Sequence, residues 1–335
     1  MKTNKKFCVA FATKNHYPMF EGCVYKYSKA NFDDVLVLNV DIDSTDEWKK
    51  KGKETCDRLG IHYVNKDSDH YISNQRMIGA VDKYLTENNI DVDWILTFQH
   101  DTVPILPYFW EYFDSFLRKN ESFLLNKVGM IGANSYQNYN RALQQVHSND
   151  IFIKRKENTN TARGNLVNGI LNPPYNGWYT KLPNDYYKVE YFVVESPNWQ
   201  SVAFNRKLFR ENIIVDDIFR YDLWSDDIAH QFMLKGYINI AMTNLMVCHD
   251  HALKQGIEIY TDQTFIRNQS SHDRFIQKYG WDWGYRNKQL RQHFENKLEG
   301  NWWDEPEESM YKNSVQKILF NLDINYGPIP DIIDL

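Results

Sequence analysis

Asp91-Val-Asp-Trp-Ile-Leu-Thr-Phe-Gln-His-Asp-Thr102 is the stretch on which the fold of this chain turns. Its apolar run, Trp94 to Phe98, has the length of a buried strand, and Pro104 follows closely. The strand delivers His100 and Asp101 to its carboxyl end, the edge of an open α/β sheet at which ligands bind. A carboxylate beside an imidazole there suits a hard divalent cation held against a phosphate. A polar surface turn is the other reading of the same two residues.

Toward the N terminus the same rhythm repeats. Phe7 to Ala12 reads as a buried strand ending in the polar turn Thr13-Lys-Asn-His16. Val35 to Val40 reads as a second strand. Asp41-Ile-Asp-Ser-Thr-Asp46 comes after it, with Ser44 or Thr45 placed to cap a helix from about Glu47. Ile61 to Val64 makes a third strand, and Met77, Val81, Tyr84 and Leu85 recur at helical spacing within 69–86. A fifth strand is predicted over 127–131. This alternation implies a mostly parallel sheet with helices on both faces, and right-handed crossovers gather the Thr13, Asp41 and Asp101 turns on one edge. The first turn carries neither GxGxxG nor GxxxxGK[ST], so a phosphate there would be met by other means, such as a metal.

Beyond Gly132 the pattern changes. Residues 133–187 are rich in Asn, Tyr, Pro and Gly, as in Asn172-Pro-Pro-Tyr-Asn-Gly-Trp178, and read as an insertion that shapes a binding site or as a plain hairpin excursion. Tyr191 to Val194 is strand-like, and Gln200 to Phe209 reads as a strand running into a short helix. Leu223 to Leu234 reads as a helix with Ser225 as N-cap and Asp226 and Asp227 in the first turn, where negative charge is favourable whatever its chemistry. Gly236 closes it, and Ile238 to Met242 and Leu245 to Cys248 are short strands ending in His249-Asp-His251. From Gln255 onward Trp281, Trp283, Trp302 and Trp303 stand among charges. Helices packed on the rest of the chain are the first reading there, with a subunit interface or a membrane surface as the others.

Composition narrows the classes. At 335 residues and 42% hydrophobic, the chain can bury the core of one large elaborated domain or two modest ones. No run reaches the roughly eighteen apolar residues that span a bilayer, and the first residues lack a secretory apolar stretch. A soluble intracellular protein is the expectation. A net charge of −5 with mixed signs lacks the footprint of a nucleic-acid binder. Cys8, Cys23, Cys56 and Cys248 show no metal or redox spacing and read as small hydrophobes. Aromatic residues make up 15%, rings that stack on sugars or bases as readily as they fill a core.

Taken in order, these segments resemble the inverting family 2 glycosyltransferases of the GT-A fold. Val9-Ala-Phe-Ala-Thr-Lys-Asn15 is similar to the family's opening strand with its Thr-x-Asn, and Asp41 to Asp46 to the acidic turn after the second strand. Ser73-Asn-Gln-Arg76 resembles the Ala-Arg-Asn region at a helix start, and Ile95 to Asp101 the strand that delivers Asp-x-Asp. Ser201 to Phe209 resembles the small-residue strand before an Arg-x-x-Phe helix. Ser225-Asp-Asp227 resembles Thr-Glu-Asp, and Val247-Cys-His249 the late metal-binding histidine. The resemblance covers about residues 7–133 and 189–251. Two departures stand out: Gln99-His-Asp101 keeps one acid of Asp-x-Asp, and the Gln-x-x-Arg-Trp of polymerising members is missing.

The resemblance implies a GT-A (nucleotide-diphospho-sugar transferase) catalytic domain over 1–254. It comprises a nucleotide-binding half over 1–133, an insertion over 134–187 and an acceptor-side half over 188–254, with a mainly helical extension over 255–335. It implies transfer of a single sugar from a nucleotide-diphosphate sugar, a UDP-sugar first, to an acceptor hydroxyl of a carbohydrate or glycoconjugate. Glycan or cell-surface polysaccharide synthesis, in the cytoplasm or at the inner face of the membrane, is the implied setting. Asp101 and His249 would hold Mn2+ or Mg2+, with His251 the substitute, and Thr13, Asn15, Asp41, Asp43, Arg76 and His100 would serve the nucleotide. Asp227 would be the catalytic base, and Asp226 would orient the acceptor or support the helix. The rivals are a nucleotidyltransferase with a similar acidic edge and an inactive carbohydrate-binding relative.

Overall fold

The computed structural model describes residues 4–15, 17–22, 30–42, 44–65, 74–100, 102–104, 106–136, 159–160, 162–166, 190–197, 199–219, 223–249 and 262–279. The first half alternates as expected: β1 (Phe7–Thr13), α1 (Tyr17–Glu21), β2 (Val37–Asp41), α2 (Asp46–Leu59), β3 (His62–Asn65), α3 (Asn74–Glu87) and β4 (Trp94–Gln99). There follow β5 (Thr102–Pro104), α4 (Phe109–Lys119), α5 (Glu121–Lys127), β6 (Val128–Tyr136), β7 (Thr159–Asn160) and β8 (Ala162–Leu166). The remainder is β9 (Tyr191–Pro197), β10 (Ser201–Asn205), α6 (Arg206–Asn212), α7 (Trp224–Leu234), β11 (Ile238–His249) and α8 (Asp262–Tyr279).

One sheet runs β3-β2-β1-β4-β10-β6-β11-β9-β8. The four strands β3, β2, β1 and β4 are parallel neighbours, in a register that sets Thr13 beside Asp41 and Ala12 beside Gln99. Strand β10 enters antiparallel between β4 and β6, whereas β11 runs parallel to β6. The carboxyl ends of β1, β2 and β4 therefore line one edge, and β11 brings its own end there through an antiparallel pairing with β5.

The sheet is apolar on both faces because alternate residues of each central strand point to opposite sides. Phe7, Val9 and Phe11 of β1 join a core with Tyr17, Phe20, Phe109, Trp110 and Phe113, while Cys8 and Ala10 join a second core with Met77, Val81, Ile228 and Phe232. Burial pushes the Cys8 and Cys56 thiols up to about 12, which fits the reading of both as small hydrophobes. Among the described residues no helix is long and apolar enough to cross a membrane.

Several local expectations change. Ser225 is not the N-cap of α7: the helix starts at Trp224, and Leu223 holds the cap position in a left-handed conformation with no side-chain cap bond. Thr45 holds the cap position of α2 but its side chain makes no cap bond either, and its backbone N–H donates to Asn15 Oδ1. The two late strands are one, β11, with a register break against β6 between Ala241 and Met246. The insertion, the start of the helix expected at 69 and the late tryptophans lie largely or wholly outside the described residues.

Gly52 shows how tightly α2 seats on the first strand's neighbours. A Cβ at that position would come within 2.1–2.5 Å of the Tyr17 ring. We expect Gly52→Ala to destabilise the protein by about 1–3 kcal/mol, although alanine is the better helix former. The urea midpoint measures it, and a stabilised variant would contradict the packing described.

Candidate functional site

At the ends of β1 and β2 a buried carboxylate organises the turns. Asp41, 1% exposed, accepts from Tyr17 Oη at 2.7 Å and Tyr63 Oη at 2.9 Å on Oδ2, and from Ser44 N at 2.8 Å on Oδ1. Tyr17 Oη in turn accepts from Thr13 Oγ1 at 3.1 Å and Asn39 Nδ2 at 3.2 Å. Burial, and after it the charge of Asp41 among the causes, pushes the Tyr17 phenol upward, so both tyrosines remain neutral donors. Asn15, in the left-handed region at φ 55, ties the two turns: its N–H donates to Ser44 Oγ at 2.8 Å and its Oδ1 accepts from Thr45 N at 3.1 Å. Thr13, Asn15 and Asp41 thus share one network, and Asp43 lies outside the described residues.

Two strands along the sheet, His100 follows β4 half-buried, and Asp101 and His251 lie outside the described residues. Their chain neighbours are informative. Thr102, next to Asp101, is the register partner of His249. Thr102 is fully buried, and its Oγ1 has no hydrogen-bond partner among the described residues. A buried hydroxyl left without a partner is a group that a bound ion or water would satisfy, and the carboxylate and imidazole types at the adjoining sequence positions 101 and 249 are chemically suited to Mn2+ or Mg2+. Among the described residues alone, no group of three His, Cys, Asp or Glu side chains could hold a metal.

The acid pair sits on the first turn of α7. Helix α3 follows the parallel strand β3, so its first turn starts from the carboxyl edge, and Gln75 reaches from it to Trp224 O at 3.0 Å and Asp227 Oδ2 at 2.8 Å. Asp227 Oδ2 also accepts from Gln231 Nε2 at 2.8 Å, while Oδ1 accepts from Lys278 Nζ at 2.5 Å and Tyr279 Oη at 2.7 Å. A carboxylate has about four lone-pair sites, and here all are filled. Asp227 is 0% exposed, so in this arrangement it is a saturated junction rather than a base open to an acceptor. Asp226 is buried beside it, and its carbonyl lies 2.8 Å from His230 Nδ1.

Arg76 makes a surface ion pair. Its guanidinium forms a two-pronged pair with Asp217, not with the Asp41 network, and both side chains are over 40% exposed. The neighbouring Gln75 does the buried work: its Oε1 also takes Asp216 N at 2.8 Å.

No protein-family model matches the chain, and no curated protein matches it in sequence. Solved structures do match in shape. The crystal structure of GalNAc-T7 with UDP, GalNAc and Mn2+ superposes at TM-score 0.54 and 10% identity, covering 95% of this chain. The fold is GT-A. The chain spans just over half, 56%, of that protein's length. The mannosyltransferase PcManGT from Pyrobaculum calidifontis in complex with GDP-Man and Mn2+ is also similar, at TM-score 0.40 and 10% identity over 94% of this chain and 85% of its own. S. aureus TarS 1-349 in complex with UDP-GlcNAc gives TM-score 0.43 and 10% identity over 81% of this chain and 66% of its own. The match with GalNAc-T7, bound to UDP, GalNAc and Mn2+, is the one on which the fold rests.

Sequence reasoning missed Tyr17, Tyr63, Gln75, Gln231, Lys278 and Tyr279. Gln75 is the neighbour of Arg76 in Ser73-Asn-Gln-Arg76, and its amide, donor at one end and acceptor at the other, suits three partners at once. Replacing it, as Gln75→Leu, strands Asp216 N, Trp224 O and part of Asp227. The expected cost is about 1–3 kcal/mol for each buried group left unpaired. Chemical denaturation measures it, and a total loss under about 1 kcal/mol would contradict the network.

Proposed function

We propose that the chain is a metal-dependent inverting glycosyltransferase. It moves one sugar from a nucleotide-diphosphate sugar, a UDP-sugar first, to an acceptor hydroxyl of a glycan or cell-surface polysaccharide. The observation that carries this is the GT-A edge itself: the buried Asp41 network closes one side, and the pairing of Thr102 with His249 closes the other. The UDP and Mn2+ bound by GalNAc-T7 support the choice of nucleotide and ion.

Each residue has a distinct task. Asp41 and the turns tied by Asn15 bind and orient the nucleoside, with Tyr17 and Tyr63 fixing the carboxylate. Asp101 and His249 would hold Mn2+ or Mg2+, which supplies electrostatic stabilisation of the departing diphosphate. His100 borders that diphosphate. Asp227 accepts the proton of the acceptor hydroxyl as that oxygen bonds to the anomeric carbon, on the face opposite the leaving group. It can do so only when the donors on Oδ1 have left. Asp226 supports the first turn beside it. Arg76, through Asp217, steadies the segment between α6 and α7.

Thermal unfolding with UDP, GDP, dTDP, CDP or ADP, each with and without Mn2+, tests this. A ligand at 100 times its dissociation constant stabilises by about 2.7 kcal/mol, and the rise is expected for one nucleotide only in the presence of metal. Asp101→Asn should abolish the metal-dependent part. A shift with nucleoside triphosphates alone would favour a nucleotidyltransferase. No shift with any nucleotide would overturn the proposal. The anomeric configuration of the product, read by NMR, tests inversion separately: a retained configuration would refute that step.

A further inference from the structure

Asp227 sorts its donors by oxygen. Oδ2 takes Gln75 and Gln231, from α3 and from α7 itself, whereas Oδ1 takes Lys278 and Tyr279, adjacent residues at the last turn of α8. A single helix end therefore covers a single oxygen, and its removal would leave the other oxygen anchored.

Among the described side chains of α8, several dock through polar bonds. Ser271 Oγ donates to Ile218 O at 3.2 Å, and Arg274 Nε donates to Asp216 Oδ2 at 2.7 Å. With Lys278 and Tyr279 these residues recur at helical spacing on one face. Among the described side chains of α8, Phe275 is the buried apolar one, its ring 5.0 Å from His230 and 4.6 Å from Tyr279. Helix α7, by contrast, buries Trp224, Ile228, Ala229, Phe232 and Met233. Lifting only the turn after Phe275 gives up the Tyr279 ring contacts with Phe275 and His230 but leaves Phe275 seated in the core, so that last turn is the lower-stability partner of the two.

We propose that α8 is a latch on Asp227. With its end docked, Oδ1 is closed to an acceptor. Transfer runs from a state in which the last turn has lifted and Gln75 and Gln231 keep Oδ2 in place. An acceptor O–H donates to Oδ1 where Lys278 and Tyr279 did, so acceptor binding and docking compete for one oxygen. Water and acceptor enter together, and the carboxylate is never left bare. The latch rests on the glycosyltransferase reading with Asp227 as base.

Arg274→Gln tests it, because it loosens docking without removing any donor to Asp227, and Arg274 is partly exposed, so the variant is expected to fold. The readout is release of nucleoside diphosphate from UDP-GalNAc, UDP-GlcNAc or GDP-mannose with Mn2+. Faster release, by roughly three- to ten-fold, is expected if the open state is the minor one. Adding Asp227→Asn should cancel the gain. Unchanged or slower release, with the Mn2+-dependent thermal shift of the nucleoside diphosphate intact, overturns the latch alone. Loss of that thermal shift in the unaltered protein overturns the underlying reading and the latch with it. Hydrogen exchange on the unaltered chain supplies an arm independent of activity. Amides of 271–279 should exchange through a lower-energy opening than those of α7, and exchange of both only in one global event overturns the latch.

Discussion

A carboxylate removed from water must be surrounded by donors, and this constraint governs both halves of the site. Asp41 is 1% exposed and Asp227 is 0% exposed. Neither can be stable as an anion without charge-assisted hydrogen bonds, and each recruits residues far away in sequence to supply them. Asp41 draws Tyr17 and Tyr63 from separate elements. Asp227 draws Gln75 across 152 residues and Lys278 across 51. The recruitment is what ties α1, β3, α3, α7 and α8 to the edge, so the same bonds that make burial tolerable also position the surface offered to a ligand.

The sheet supplies the geometry on which those bonds act. Parallel pairing of β1 with β2 and β4 forces three turns to one side, and the antiparallel strand β5 fastens the chain leaving β4 to the end of β11. That pairing sets Thr102 beside His249, 147 positions apart by sequence number, at one point of the edge. The two cores above and below the sheet fix its position, and the polar turns at its end are left to bind. Stability is graded by the same division: segments with many buried apolar side chains open last, and a helix end held mainly by polar bonds opens first.

The fold was legible in the sequence because hydrophobic periodicity and strand-to-helix alternation are local signals. Val9 to Asn15 and Ile95 to Asp101 announce strand ends whatever lies elsewhere. The joining of the two late strands was less legible, since the polar Thr243 and Asn244 look like a break and only the partner strands reveal a register shift. The cap at Ser225 failed because Leu223 takes a left-handed conformation that no composition rule favours. Side-chain partnerships were the least legible part. Nothing local tells that Arg76 turns to Asp217 while Gln75 turns inward, or that Lys278 and Tyr279 return to an acid that had the look of a free helix-terminal charge. Such choices are made by packing between distant elements, and a motif records the residue without its neighbours.

In the proposed enzyme the junction of β4, β5 and β11 is a divalent-metal site facing a nucleotide diphosphate. The most direct measurement is an anomalous difference map from crystals grown with Mn2+ and UDP, collected above the manganese absorption edge. One principal peak is expected at that junction, bounded by Asp101 and His249 and contacting the diphosphate. A peak at Asp41 instead, or bound nucleotide with no manganese at the junction, would contradict that assignment.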